Sequence, residues 1–209
     1  MKKAMTLTYE TGGNLYLNIT NKCPCNCIFC IRNNNDGAYG SDPLWLEHEP
    51  TLDEMKQALA ERDLSSYPEI VFCGYGEPTM RLSLLCELAK YIREICPSVI
   101  LRLNTNGLTE IYNSKEANGT APEQIASVID KVSISLNGGN SAVYHRVTRP
   151  AGMPENAYAT MLDFAKRCQI AGMEVAFTVV DVISPEEIQE AQQQADILGI
   201  PLHVREYIT

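Results

Sequence analysis

Four cysteines near the amino end of the chain carry the clearest chemical pattern. The protein has eight cysteines, and four of them lie within eight residues at Cys23, Cys25, Cys27 and Cys30. Three follow the spacing Cys23-x3-Cys27-x2-Cys30, and Cys25 lies inside the first gap. Three thiolates in a short loop can hold three irons of a [4Fe-4S] cluster and leave the fourth iron open. A zinc site stays open as the alternative, since Cys25 or Cys73 could supply a fourth ligand.

A second motif lies about fifty residues further along, in Cys73-Gly74-Tyr75-Gly76-Glu77-Pro78. Its two glycines allow backbone groups to approach a ligand closely, and a carboxylate beside backbone acceptors suits a cationic amino group. The alternative is a tight turn that ends a strand at Pro78.

Composition and charge exclude several classes of protein. The 209 residues are 45% hydrophobic and 21% charged, which is typical of a globular domain and excludes a disordered or collagen-like chain. The net charge of −9, from 17 basic and 26 acidic residues, disfavours nucleic acid or a membrane surface as the main partner. No apolar run reaches the ~18 residues of a membrane span, and the first residues lack an export signal. We therefore expect a cytoplasmic protein whose clustered thiols bind metal or do redox chemistry and do not form disulfides.

Strand-like and helix-like segments alternate along the chain. The predicted strands are Asn14–Thr20, Glu69–Cys73, Val99–Asn104, Lys131–Leu136, Glu174–Val180 and Pro201–Tyr207. The predicted helices are Leu52–Leu64, Ser83–Ile95, Pro122–Ile129, Ala157–Ala171 and Pro185–Leu198. Such alternation favours a parallel sheet of right-handed βα units in one α/β domain that spans residues 1–209.

Six units are too few for an eight-unit barrel, which takes ~250 residues. We therefore expect either a doubly wound sheet or an open partial barrel, interrupted by one irregular insert at residues 31–50. This insert is a candidate lid or substrate loop, with ordinary surface packing as the alternative. In both architectures ligands bind at the carboxyl ends of the strands. Both cysteine-bearing motifs follow predicted strands, so they should meet at that edge.

These motifs resemble those of the radical S-adenosylmethionine (SAM) superfamily. The Cys-x3-Cys-x2-Cys loop follows the first predicted strand, with aromatic Phe29 just before its last cysteine. The Gly74-Tyr75-Gly76-Glu77-Pro78 phrase is similar to the Gly-Gly-Glu-Pro motif of that family. The resemblance implies a partial (βα)6 TIM-like barrel with six parallel strands and an open side. The short length and the Cys-Pro-Cys-Asn-Cys sequence most resemble small members associated with TatD-type hydrolases.

The resemblance also implies cofactors, chemistry and partners. Cys23, Cys27 and Cys30 are expected to hold a [4Fe-4S] cluster whose open iron binds S-adenosylmethionine. An external one-electron donor of the flavodoxin or ferredoxin type would drive reductive cleavage to methionine and a 5′-deoxyadenosyl radical. That radical would abstract hydrogen from an unknown small-molecule or peptide substrate, and a TatD-type hydrolase would be a further partner.

By the same resemblance, a set of residues at the strand ends is expected to bind S-adenosylmethionine. The set is Phe29, Gly74, Tyr75, Gly76, Glu77, Asn104, Ser135, Asn137, Arg146 and Val180. Within it, Ser135 and Asn137 would bond the ribose, and Arg146 would pair with the methionyl carboxylate. Turn formation, a solvated arginine and core packing are the alternatives for these residues.

Two departures from the family pattern shape what we expect of this chain. It stops after the sixth predicted strand and lacks a cysteine-rich carboxyl-terminal extension, which predicts one cluster and a site open to substrate or partner. Two other functions compete with the enzyme: a zinc or iron–sulfur binding module without catalysis, and an electron-transfer protein with a closed four-cysteine cluster.

Overall fold

The computed structural model describes residues 2–207 and contains one seven-stranded sheet. The strands are β1 Thr8–Thr11, β2 Asn14–Leu17, β3 Glu69–Phe72, β4 Ile100–Thr105, β5 Lys131–Ser135, β6 Glu174–Val180 and β7 Leu202–Arg205. They lie in the sheet in their order along the chain. Strands β2 to β7 are parallel to one another, which confirms the six predicted parallel strands.

Helices connect the parallel strands. They are α1 Leu52–Ala60, α2 Leu82–Ile95, α3 Thr109–Tyr112, α4 Ser114–Ala117, α5 Ala121–Ala126, α6 Ser141–Thr148, α7 Ala157–Ile170 and α8 Pro185–Leu198. Short 3-10 turns lie at Ile31–Asn33, Leu64–Ser66 and Pro78–Arg81. The sheet is open, as an incomplete TIM-like barrel, and residues 2–207 include no helix with the length and hydropathy needed to cross a membrane.

Strand β1 is an addition to the predicted architecture, because it pairs with β2 in antiparallel orientation. Gly12 and Gly13 form the two-residue turn between these strands, with φ of 57° and 78°. A tight hairpin needs positive φ at both central positions, and glycine adopts it without steric cost. The Gly-Gly pair was therefore a hairpin signal, but the four-residue strand before it was too short to stand out.

Helix α6 is another element that the sequence did not predict, as are the short helices α3 and α4. Asn140 caps it by accepting a hydrogen bond from the Val143 backbone N–H, and Arg149 ends it in a left-handed conformation with φ of 46°. Its eight residues include the β-branched Val143, Val147 and Thr148. Such residues have low helix propensity, so a helical pattern was weak here.

The two faces of the sheet differ in polarity. One face is apolar and packs into the main core with helices such as α2 and α7, through fully buried side chains that include Ile70, Phe72, Leu101, Leu103 and Ile134. The alternate residues on the other face are polar at several positions, among them Glu69, Arg102 and Lys131. Since side chains alternate along a strand, the polar face is the concave interior of the partial barrel.

Candidate functional site

The cysteine loop is held in place by helix α6. The Ile28 N–H donates to the Val147 carbonyl at 2.9 Å, and the Asn26 N–H donates to the Thr148 carbonyl at 3.1 Å. The Ala151 N–H donates to Pro24 at 2.8 Å. The loop therefore runs along the last turn of α6, where three backbone contacts set its path.

The four clustered thiols differ in burial. Cys23, Cys27 and Cys30 are half-buried, whereas the Cys25 side chain is 4% exposed and belongs to the core. Hydrogen bonds that the Cys25 thiol donates to Cys23 and Cys27, together with burial, raise the pKa of Cys25. The same contact with Cys25 lowers the pKa of Cys23. Cys25 is thus the thiol least able to become a thiolate.

The donor set can accommodate a [4Fe-4S] cluster. Among residues 2–207, no group of three or more His, Cys, Asp and Glu side chains is arranged to hold a metal ion. A cubane cluster needs a wider spacing, because each thiolate binds a different iron. The half-buried Cys23, Cys27 and Cys30 lie on one loop at the carboxyl end of β2, and the charges of the first two act on the third. This donor set fits the cluster chemically.

Arg32 connects the two motifs. Its guanidinium donates to the Cys25 carbonyl at 2.7 Å and to the Tyr75 carbonyl at 3.4 Å. Burial raises the pKa of Cys30, and a backbone hydrogen bond from Arg32 together with its charge opposes that rise. Arg32 therefore fixes the distance between the motifs and places a positive charge beside the thiols.

Glu77 is the buried centre of the second motif. Its carboxylate is 5% exposed and accepts hydrogen bonds from the Thr79 N–H at 3.1 Å and the Thr79 hydroxyl at 2.8 Å. It also accepts from the Thr105 hydroxyl at 2.7 Å and the Asn106 N–H at 2.8 Å. Burial raises the pKa of Glu77, and these four donors oppose the rise. Glu77 therefore joins the end of β3 to the end of β4.

The glycines of this motif face the segment that follows β2. A Cβ atom at Gly76 would lie 2.3 Å from the Thr20 carbonyl, and one at Gly74 would lie 2.1 Å from the Asn18 side-chain oxygen. Only glycine allows the motif to lie this close to the end of β2. The sequence analysis predicted that these glycines let the backbone approach a ligand. In the structure they let it approach the segment that leads into the cysteine loop.

Asn104 and Cys73 lie side by side on the concave face. Burial raises the pKa of the Cys73 thiol, and a hydrogen bond with Asn104 and the charge of Arg205 oppose the rise. The Tyr9 hydroxyl donates to the Cys73 carbonyl at 3.2 Å. Asn104 thus lies on the interior of the barrel, one strand away from the Gly-Tyr-Gly-Glu motif.

Ser135 and Asn137 lie at the end of β5. Ser135 is half-buried and pairs with Thr178 of β6. Asn137 is buried, its φ is 54°, and its N–H donates to the Thr178 carbonyl at 3.2 Å. The left-handed turn at Asn137 therefore lies against the neighbouring strand.

An apolar pocket of about 220 Å³ lies beside the cysteine loop. Phe29, Cys30 and Val180 line it together with Ile31, Tyr39, Arg205, Glu206 and Tyr207. Two residues expected from the sequence to bind S-adenosylmethionine, Phe29 and Val180, are thus brought together beside a cysteine. Arg205 adds the positively charged side chain of this pocket.

Arg146 lies outside the apolar pocket. Its guanidinium contacts both carboxylate oxygens of Glu187, at 2.7 and 2.8 Å, and its side chain is 55% exposed. This ion pair joins α6 to α8. The described structure therefore gives Arg146 an inter-helix contact and does not bring its side chain together with Phe29, Cys30 and Val180.

The insert at residues 31–50 packs against the end of β2. The Asn21 side chain both donates to and accepts from Leu46, at 2.8 and 2.9 Å. The Trp45 ring contacts the Tyr75 ring edge to face, with centroids 5.3 Å apart. The Tyr75 hydroxyl donates to the Asn35 carbonyl at 2.7 Å, and burial raises the pKa of Tyr75 to about 12. The insert is therefore tied to both motifs.

The sequence did not show which residues connect the two motifs. Arg32, Thr105 and Asn106 hold the two motifs in place. The strand-end position of Thr105 and Asn106 was a usable signal, whereas nothing in the local sequence distinguishes Arg32.

Comparison with known proteins identifies a family model and several similar structures. A model described as the radical SAM superfamily matches residues 17–195. SuiB of Streptococcus suis, bound to its precursor peptide SuiA, superposes with a TM-score of 0.67 at 16% identity, over 94% of this chain and 39% of that one. No curated protein sequence matches significantly.

Two further structures share the fold. The protein described as native anSMEcpe with bound AdoMet gives a TM-score of 0.63 at 16% identity, over 92% of this chain and 50% of that one. Methylornithine synthase (PylB) gives 0.61 at 11% identity, over 93% and 53%. The chain therefore spans about 39 to 53% of the length of these three proteins.

Proposed function

Because the chain belongs to the radical SAM superfamily, we propose that it is an enzyme that holds one [4Fe-4S] cluster on Cys23, Cys27 and Cys30 and cleaves S-adenosylmethionine. The observation that carries the proposal is that Cys30, on the same loop as Cys23 and Cys27, lines an apolar pocket at the carboxyl edge of the sheet. When bound, the cluster would pass one electron from an external donor to S-adenosylmethionine, which would yield methionine and a 5′-deoxyadenosyl radical able to take a hydrogen atom from substrate.

The chain's own residues provide binding and orientation. Phe29 and Val180 offer apolar surface for the adenine ring, and Ser135 and Asn137 offer polar groups at the neighbouring strand end for the ribose. Gly74, Tyr75 and Gly76 supply backbone close to the cysteine loop, while Glu77 and Arg32 hold that backbone in position. Asn104 faces the interior, where the substrate would bind.

The proposal includes partners that remain to be tested. The electron donor would be of the flavodoxin or ferredoxin type, in the cytoplasm, and the substrate would be a small molecule or a peptide. SuiB is bound to a precursor peptide, which supports a peptide, whereas methylornithine synthase is named for a small product. Association with a TatD-type hydrolase belongs to the subgroup resemblance alone.

The test is S-adenosylmethionine cleavage by the reconstituted protein. The chain is purified anaerobically, loaded with iron and sulfide, reduced with dithionite and assayed for 5′-deoxyadenosine by liquid chromatography. We expect product from the wild type and none from Cys27→Ala. The control is Cys86→Ala, which removes a half-buried thiol on α2 and should leave activity intact. Activity in Cys27→Ala, or bound zinc without sulfide, would overturn the proposal.

An electron-transfer protein with a closed four-cysteine cluster is distinguished by Cys25→Ala. Cys25 contacts both Cys23 and Cys27, so it is the thiol placed to act as a fourth ligand. We expect Cys25→Ala to retain the cluster absorbance, and S-adenosylmethionine to change the electron paramagnetic resonance spectrum of the reduced wild type. Loss of the cluster in Cys25→Ala with an unchanged wild-type spectrum would favour electron transfer.

A further inference from the structure

A second cavity lies on the concave face of the sheet. Its volume is about 330 Å³, within the range of ~300–1,000 Å³ typical of small-molecule sites. Five consecutive strands, β3 to β7, contribute to its walls, so the sheet curves around it. The lining residues are Glu69, Arg102, Lys131, Val132, Ser133, Glu174, Ala176, His203 and Arg205.

The part of this cavity at the amino-terminal ends of the strands is balanced in charge. Glu69 pairs with Arg102 at 2.8 Å and with Lys131 at 3.4 Å. Lys131 also lies 3.5 Å from Glu174. Two carboxylates therefore compensate two cations at the amino-terminal end of the strands, and this network has little capacity left for a charged ligand.

The part nearer the carboxyl ends contains one arginine and one histidine. Arg205 and His203 lie on β7, in register with Val180 and Thr178 of β6. Within residues 2–207, neither side chain has an ion-pair partner. Among the described residues no carboxylate lies within ion-pair distance of Arg205, so its guanidinium is free to pair with an anionic ligand.

Arg205 also borders the apolar pocket beside Cys30 and Val180. It is therefore the one cationic side chain shared by the two cavities within the described part of the chain. A guanidinium offers a planar fork that matches a carboxylate or a phosphate. A molecule held there by its anionic group has its remaining atoms next to the pocket proposed for the cofactor.

We propose that Arg205, assisted by His203, binds an anionic group of the substrate, a carboxylate or a phosphate, in the concave cavity. That the bound anion is a substrate rests on the proposed function. Its chemistry rests on the uncompensated charge and on the shared position of Arg205. The substrate class is thus a small anionic molecule, or a peptide that presents a carboxylate.

The test measures anion binding directly and does not need the loaded enzyme. The 209-residue chain is titrated by calorimetry at low salt with succinate, with inorganic phosphate and with neutral succinamide. We expect wild type to bind at least one of the two anions and not to bind succinamide. Arg205→Met should weaken anion binding by about tenfold or more, since a hydrogen-bonded charge pair is lost. Lys166→Met, which removes an exposed charge on α7, should change it less than about twofold.

A second variant keeps the result interpretable if Arg205→Met folds poorly. Arg205→Lys retains the charge but loses the fork, and we expect affinity between those of wild type and Arg205→Met. Binding of succinate alone identifies a carboxylate, and binding of phosphate alone identifies a phosphate. Failure of both anions to bind, equal binding of succinamide, or equal losses in Arg205→Met and Lys166→Met would each overturn the inference. Absence of 5′-deoxyadenosine with intact anion binding would count against the proposed function alone.

Discussion

Glu77 shows how one side chain can organise the carboxyl edge of the sheet. Its carboxylate accepts four hydrogen bonds from Thr79, Thr105 and Asn106 while almost fully buried. The motif spacing identified Glu77 as important. Its partners on β4 are distant in the chain, so sequence alone assigned the carboxylate to a ligand and missed its contacts with the protein.

We predict that Glu77→Gln lowers the free energy of unfolding by about 2 kcal/mol, because an amide nitrogen would replace one of the acceptor oxygens. Denaturant unfolding followed by circular dichroism measures the change. Glu155→Gln, at an exposed position, is the matched control and should be neutral. Equal stability of the two variants would show that the four contacts contribute little.

At the scale of elements, helix α1 begins with a complete capping box. The Thr51 hydroxyl accepts from the Glu54 N–H at 3.2 Å, and the Glu54 carboxylate accepts from the Thr51 N–H at 2.7 Å. The predicted helix begins at the same residue, Leu52, because a capping box is local and the Thr51 and Glu54 pair can be read in the sequence. The end of α1 at Ala60 was not predicted, because the following 3-10 turn continues the apolar pattern.

The capping box makes the stability of the fold depend on pH. A backbone hydrogen bond from Thr51, with help from His48, lowers the pKa of Glu54 from 4.5 to about 2. Because the pKa is lower in the folded protein, the ionised Glu54 carboxylate stabilises the fold at every pH above its pKa in the unfolded chain. This contribution to stability disappears as the pH falls from about 4.5 to about 2. We predict that Glu54→Gln is less stable than wild type near pH 7 and that the difference narrows through that acidic range.

Urea unfolding of both proteins at several pH values tests this prediction. Glu61→Gln, at an exposed position just after α1, serves as the control and should show no such narrowing. A wild-type advantage that stays constant down to the lowest pH would mean that Glu54 is not the titrating group.

At the scale of the whole molecule, the insert is the segment whose position depends most on distant contacts. Asn18 and Asn21, at the end of β2, donate to the carbonyls of Leu44 and Leu46. Both leucines are fully buried. The insert was predicted to be irregular and a candidate lid. Only the structure shows that hydrogen bonds from Asn18 and Asn21 hold its second half against the sheet.

We predict that Asn21→Ala speeds hydrogen exchange of the amides around Leu46, because two hydrogen bonds to that residue are lost. Exchange measured by mass spectrometry should rise in peptides covering residues 42–48. Peptides from α7 provide the internal control and should be unchanged. If exchange rises equally in both regions, the variant has lost global stability and the insert is not selectively fastened by Asn21.

The sequence by itself determined the alternation of strands and helices, the six parallel strands and the two motifs that follow β2 and β3. These features depend on neighbours in the chain: apolar periodicity, helix caps and fixed spacing of cysteines and glycines. Only the tertiary structure decided which side chains meet. Arg146 turns to Glu187, Arg32 joins the two motifs, and Arg205 lies between the two cavities. Those contacts depend on how the sheet curves and how its strands align, which no local pattern encodes.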